Sequence, residues 1–213
     1  MRGRRVRLPE LGDLVSRLAG ALEAREPRRA SRVGAKRAAV AVVLGGDVAP
    51  SIAFIRRKTR AGDPWSGQVA FPGGFQASDA ESPETTARRE TLEETGLDLA
   101  RHGRLLGPLD DVSPRTPYLP PLIVAPFAYA VPSLEALVPG DEADAALWIP
   151  VREIFDPGNR TSFHFSLPAG TREFPAIQVR DLVIWGLTER VLRQVADLAG
   201  LQPGEEARGT ANA

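Results

Sequence analysis

Apolar residues stand at 8, 11, 14, 15, 18, 21 and 22, the spacing of one helical face, so the pattern predicts an amphipathic helix over residues 8–23. The period is lost over 24–37, a basic stretch that reads as an exposed linker. Residues 38–44 (AAVAVVL) form an apolar, partly β-branched run, the signature of a buried strand. Gly45-Gly46-Asp47 turns the chain, and 51–56 (SIAFIR) reads as a second strand. A third, 68–71 (QVAF), is stopped by Pro72-Gly73-Gly74. A helix follows over 83–95: Ser82 suits the N-cap, Pro83 the first helical position and Gly96 the C′ position. Strands are expected over 103–109, 122–131 and 145–149, with a Pro-rich loop at 112–121 and a helical turn at 151–155. Residues 161–166 (TSFHFS) alternate as a hairpin strand would, with 174–179 as partner. Asp181 is expected to cap a last helix running through Leu198, on apolar positions 183, 184, 187, 191, 195 and 198.

Mixed strands with a few helices predict an α/β (α+β) fold around a mixed sheet. The expected division is an N-terminal helix and basic linker over 1–37, one domain over 38–200 and a polar tail over 201–213. Composition narrows the functional classes. Lys+Arg and Asp+Glu balance at 27 each, so no net field draws the chain to nucleic acid or to an anionic membrane. It has no cysteine, which removes disulfides, thiolate catalysis and Cys-based zinc sites. No apolar run approaches the ~18 residues of a membrane-spanning helix, and the start lacks the continuous apolar core of a secretory signal. A cytoplasmic enzyme is the plain expectation. The N-terminal helix and the Phe-containing segment 161–166 could each serve a homodimer or cover the chain's own core.

One helix carries unusual charge. Glu90, Glu93 and Glu94 stand at i, i+3 and i+4, so they share one face, where like charges repel by roughly 0.2–0.5 kcal/mol per pair. Thr91, Leu92 and Thr95 lie on the other side, where they are expected to pack on a sheet. Three carboxylates together suit a hard divalent cation such as Mg²⁺, which takes one or two carboxylates together with substrate phosphate oxygens. Gly73-Gly74 lets the backbone approach such a site with no Cβ in the way. Arg89, four residues before Glu93, is placed to orient it.

The order strand, Pro-Gly-Gly, loop, capped helix, Arg-Glu-x-x-Glu-Glu-x-Gly is far more specific than any acidic pair. Residues 74–97 resemble the box of the Nudix hydrolase superfamily, G-x5-E-x7-R-E-U-x-E-E-x-G-U, where U is bulky and apolar. Glu81, Arg89, Glu90, Glu93, Glu94, Gly96 and Leu97 match it. Two positions depart: six residues rather than five separate Gly74 from Glu81, and Thr91 takes the first U position. The resemblance implies an α/β/α sandwich over roughly 38–155, Mg²⁺ or Mn²⁺ dependence, and hydrolysis of a nucleoside diphosphate linked to another moiety. It also implies that Glu90, Glu93, Glu94 and the Gly74 carbonyl are metal ligands, that Glu81 helps through a water, and that Glu93, Glu94 and Arg89 are catalytic. Glu94 is one candidate general base. Glu142, in the loop just before strand 145–149, is another.

Upstream, Gly67 to Gly74 (GQVAFPGG) is similar to the ending of the coenzyme A pyrophosphatase signature, and Asp79 fits a further acidic position. The front half departs. Lys58-Thr59 replace an Arg-Ser pair, and Asp63 and Trp65 stand where a basic residue and a His are expected. The 3′-phosphate of coenzyme A needs a cation, and Arg56, Arg57, Lys58 and Arg60 are the candidate replacements. An ADP-ribose-like or nucleoside diphosphate-sugar substrate is the alternative to a coenzyme A-type one. A further alternative is a non-catalytic module that senses a nucleotide. Trp65 suits either purine stacking or cover for the core edge. Gly73 and Arg115 complete the candidate substrate contacts, Arg115 in a loop whose other reading is a plain surface connection. His164 reads as a strand residue and His102 as a surface one.

Overall fold

The computed structural model describes residues 10–47, 49–59, 66–114, 120–167 and 170–201. Helix α1 (Leu11–Glu23) leads into strands β1 (Lys36–Gly45), β2 (Ser51–Arg57), β3 (Val69–Ala70) and β4 (Gly73–Phe75). Helices α2 (Pro83–Thr95) and α3 (Leu99–His102) follow, then strands β5 (Arg104–Pro108), β6 (Leu122–Ala130) and β7 (Ala143–Pro150). Short helix α4 (Val151–Ile154), strands β8 (Arg160–Leu167), β9 (Gly170–Val179) and β10 (Leu182–Trp185), and helix α5 (Gly186–Ala199) complete the chain.

The first seven strands form one mixed sheet. β1 and β6 run parallel along nine residue pairs, Lys36–Leu122 to Leu44–Ala130, and every other pairing in it is antiparallel. β1 and β2 meet only at Leu44–Ile52 and Gly45–Ser51. Below that turn they part. β4 takes the edge of β1 that β2 has left, and β3 takes the matching edge of β2. The sheet therefore splits into a β7–β2–β3 wing and a β4–β1–β6–β5 wing, with β4 facing the gap.

Strand alternation divides the apolar residues of β1 between two cores. Ala38, Val42 and Leu44 join a large core shared with α1 and α5. Ala39, Ala41 and Val43 join a smaller one with Ala53, Ala87, Ala125, Phe127 and Tyr129. The second is rich in alanine, and α2 lies against it. Small residues there let a helix with buried threonines and a buried glutamate sit close to the strands. Thr91 and Thr95 are fully buried, and each hydroxyl donates to the carbonyl four residues back, Ala87 and Thr91, at 2.6 Å. That bond removes the cost of burying a hydroxyl unpaired, which explains how Thr91 occupies a position suited to an apolar residue.

The caps of α2 are those the sequence predicts. Ser82 Oγ accepts the Thr85 N–H at 3.1 Å, Pro83 opens the helix, and Gly96 closes it with φ 71°. Two expectations are corrected. Leu92 is exposed, because the wheel carries it past the buried sector centred between Glu94 and Thr91. The third strand does stop before Pro72, and Gly73–Phe75 then pairs with Val40–Ala38 as a further strand, β4. Asp181 does not cap the last helix. Arg180, with φ 56°, turns the chain into β10, which pairs with β9, and α5 begins at Gly186. Val183, Ile184 and Trp185 suit a strand, and the helical stripe begins at Leu187.

β8, β9 and β10 form a separate three-stranded sheet, with Phe163 facing Phe174. Among the described residues no helix is long and apolar enough to cross a membrane.

Candidate metal and hydrolysis site

β4 and α2 meet through two glycines. A Cβ at Gly73 would stand 2.3 Å from the Ala39 carbonyl oxygen, and the residue's φ of 155° suits glycine alone. A Cβ at Gly74 would stand 2.4 Å from Cδ of Glu90. The two glycines thus let β4 pair tightly with β1 on one side and let carboxylates press against its backbone on the other.

The three glutamates sit in graded environments. Glu94 is 4 % exposed, under β4, and its Oε2 accepts the Gly73 N–H at 2.8 Å. Glu90 lies against Gly74, half-buried. Glu93 projects outward, with 56 % of its side chain exposed. Burial pushes the Glu94 carboxyl up to about 7. The Gly73 N–H and the Arg57 charge oppose that rise, and Glu90 and Glu142 add to it. Glu90 is also raised by burial, against the pull of Arg89.

Arg89 ties the group together. Its Nε donates to Glu81 Oε1 at 2.9 Å, and its Nη1 to Glu90 Oε1 at 2.7 Å and Glu93 Oε2 at 3.2 Å. Nη2 donates to the Phe75 carbonyl at 3.1 Å and to Glu81 Oε2 at 3.3 Å. Glu81 also accepts the Ala77 N–H at 2.7 Å and the Thr86 hydroxyl at 2.9 Å. Arg89 foremost, then Ala77, hold the Glu81 carboxyl down at about 2. The Gln76 side chain bonds the Glu81 carbonyl, so the longer loop between Gly74 and Glu81 is closed by its own contacts.

The loop before β7 caps the far end of α2. The Val138 N–H donates to the Thr95 carbonyl at 2.9 Å and the Gly140 N–H to the Glu94 carbonyl at 3.1 Å. A Cβ at Gly140 would strike the Glu93 carbonyl oxygen at 2.1 Å, so glycine admits this approach. The Lys58 N–H donates to the Glu142 carbonyl at 3.0 Å, joining the end of β2 to the same loop. This places Glu142 close enough for its charge to raise both Glu90 and Glu94.

The structure therefore brings Gly73, Gly74, Arg89, Glu90, Glu93 and Glu94 into contact, with Arg57 and Glu142 near them. Arg56 goes elsewhere: its Nη1 lies 3.9 Å from Asp181 Oδ2, at the β9–β10 turn. Lys58 follows the end of β2. Trp65, Arg115 and Arg60 lie outside the described residues. Sequence reasoning gave Glu81 a water-mediated role; its contacts here are with Arg89 and the loop. It did not anticipate that the Arg57 charge acts on Glu94, an influence no local spacing could signal.

Among the described residues no three carboxylate or imidazole groups already stand as ligands around one point. The reason lies in the bonding just described: Arg89 draws Glu90 and Glu93 toward itself, while Gly73 holds Glu94. The donor set still fits a hard dication. All its side-chain ligands are carboxylate oxygens, two of them destabilised by burial, and Gly74 leaves the space beside Glu90 open to backbone and ion.

A protein of Schizosaccharomyces pombe, itself uncharacterised, is 34 % identical over 116 residues, 53 % of this chain and 35 % of that protein. The chain thus spans about a third of the length of that curated relative. A MutT/nudix family protein from Enterococcus faecalis superposes with a TM-score of 0.54 at 19 % identity, over 84 % of this chain and 67 % of that one, and shares the fold. A C. elegans Ap4A hydrolase gives a TM-score of 0.45 at 14 % identity, over 54 % and 80 % of the two chains. The family model described as the NUDIX domain matches residues 34–168, well over half the sequence, and the chain belongs to that family.

Proposed function

We propose that this chain hydrolyses the pyrophosphate bond of a nucleoside diphosphate joined to another moiety, with coenzyme A or a derivative as the substrate. The observation that carries the reading is the graded set of glutamates around Gly73-Gly74, from Glu94 enclosed under β4 to Glu93 in the open. Glu90, Glu93, Glu94 and the Gly74 carbonyl would hold Mg²⁺ or Mn²⁺. When bound, the ion supplies charge neutralisation at the pyrophosphate and makes water more acidic. Arg89 fixes the directions of Glu90 and Glu93. Glu94 is enclosed and bonded to Gly73, so it is a poor acceptor for a proton from free water. Glu142, on the loop capping α2, takes that proton. The water oxygen bonds to one phosphorus, the bridging P–O bond breaks, and two phosphorylated products leave.

Support for a coenzyme A-type substrate is the run Gly67 to Gly74, GQVAFPGG, which includes β3 and the start of β4. The test is an assay of the purified chain with Mg²⁺ or Mn²⁺ against coenzyme A, ADP-ribose, nucleoside diphosphate-sugars and nucleoside triphosphates, counting phosphorylated products. Coenzyme A is expected to give 4′-phosphopantetheine and adenosine 3′,5′-bisphosphate. Preferred cleavage of ADP-ribose would overturn the substrate. Nucleotide binding with no turnover of any compound would overturn the reaction and leave a nucleotide-sensing module.

A further inference from the structure

We propose that Lys36 and Phe75 form the subsite for the adenosine 3′-phosphate half of the substrate, a reading that rests on the coenzyme A-type reaction above. Phe75 is the residue directly after Gly74, and it is 48 % exposed. An exposed aromatic directly after Gly74 gains nothing from the core it has left. Its backbone is nevertheless fixed, because the Phe75 carbonyl accepts from Arg89 and the following Gln76 N–H donates to the Arg37 carbonyl at 3.1 Å. The ring therefore stands at a set position relative to the site.

The ammonium of Lys36 lies 5.4 Å from the centre of that ring. Lys36 is two residues before Ala38, the β1 partner of Phe75, so both side chains occupy the same face of the sheet. Among the described residues no carboxylate stands within ion-pair distance of Lys36, so its charge there faces the ring and solvent. A flat aromatic surface with an adjoining cation matches a purine carrying a phosphate: the base stacks on the ring and the ammonium meets the phosphomonoester.

Strand geometry connects this pair to the chemistry. Gly74 turns its Cα hydrogen face toward Glu90, and Phe75 turns its side chain to the opposite face. β4 is three residues long and, among the described residues, pairs with β1 alone, so its other edge borders the gap between the two wings. A ligand lying along that edge places its pyrophosphate at the carboxylates and its base at Phe75. The structure also gives this cation a reason to exist. The sequence lacks the basic residue expected before Gly67, and of the candidate replacements Arg56 is turned to Asp181 and Arg57 acts on Glu94.

Adenosine 3′,5′-bisphosphate has no pyrophosphate to cleave, so its binding tests the subsite apart from the reaction. By calorimetry the wild type is expected to bind it about tenfold more tightly than AMP. Lys36→Gln should abolish that preference. Phe75→Ala should weaken both ligands about tenfold, and Phe75→Trp should restore them. Both side chains are exposed, so thermal unfolding should confirm that the variants fold. The proposal is overturned if the wild type binds neither ligand or shows no preference, if Lys36→Gln keeps the preference, if Lys58→Gln removes it instead, or if Phe75→Ala binds as wild type does. Coenzyme A turnover by the wild type, measured alongside, separates loss of this subsite from failure of the hydrolase reading itself.

Discussion

Among the described residues two glutamates are buried on helices, and they are treated in opposite ways. Glu189, in the first turn of α5, is 3 % exposed and accepts Arg193 Nη2 at both oxygens, 2.7 and 2.9 Å. Arg160 Nη1 stands 3.9 Å away. Glu94 is buried to the same degree, yet against the Gly73 N–H and the Arg57 charge stand its burial and two acidic neighbours, Glu90 and Glu142. Its carboxyl rises to about 7 as a result. One glutamate has its charge matched within the fold. The other is left with excess negative charge that a cation would match. Burial alone therefore does not single out the proposed metal ligand; the company it keeps does.

The widest separation should come from neutralising each in turn. Glu94→Gln keeps an oxygen for the Gly73 N–H and removes a charge that burial penalises. Metal-free stability should stay level or rise, while kcat of the proposed hydrolysis falls about a thousandfold, ~4 kcal/mol of barrier. Thermal scans in chelator, set beside steady-state rates, measure both. A large loss of metal-free stability would make Glu94 structural, like Glu189.

Gly74→Ala probes the same site without touching any charge. The added methyl would meet the Glu90 carboxyl, the far end of a flexible side chain, so the fold should tolerate it. The carboxylate must move, and the Mg²⁺ needed for half-maximal rate should rise at least about tenfold, ~1.4 kcal/mol, in a metal titration. An unchanged requirement would remove Gly74 and Glu90 from the metal site. Gly73→Ala is the control: its methyl would strike backbone, and it should fail to fold stably.

These contrasts show what the sequence could carry. The caps of α2 are local, and Ser82, Pro83 and Gly96 announce them from within a few residues. The shared face of Glu90, Glu93 and Glu94 is likewise local. Which of the three is buried is not, because it depends on Ala39, Ala41, Ala53 and Ala125, drawn from three strands far apart in the chain. The same holds for β4. Two glycines and a phenylalanine have no strand signature of their own, and they become a strand through pairing with Val40–Ala38. At β10 a local signal misled: Asp181 resembles a helix cap, but the β9 pairing takes Leu182–Trp185 first.

Glu189→Gln reverses the outcome of Glu94→Gln. It should leave turnover per folded molecule unchanged and lower stability by about 1 kcal/mol in urea unfolding, since Arg193 and Arg160 lose their anion but keep partial access to solvent. Equal stability with altered turnover would mean that the C-terminal sheet and α5 serve the site directly.

The smallest effect concerns Glu81, the third environment, where a carboxylate is over-supplied with donors. Its folded pKa, about 2, lies below the ordinary value of 4.5 because Arg89, Ala77 and Thr86 all favour the anion. A depressed carboxylate stabilises the fold fully above the unfolded value and loses that contribution as pH falls through the folded one. Wild type should therefore unfold a few degrees above Glu81→Gln at pH 7, roughly 1 kcal/mol, and the gap should close between pH 4.5 and 2. A gap that persists unchanged down to pH 2 would show that Glu81 works through shape and not through charge. Arg89 would then orient Glu90 and Glu93 without help from Glu81.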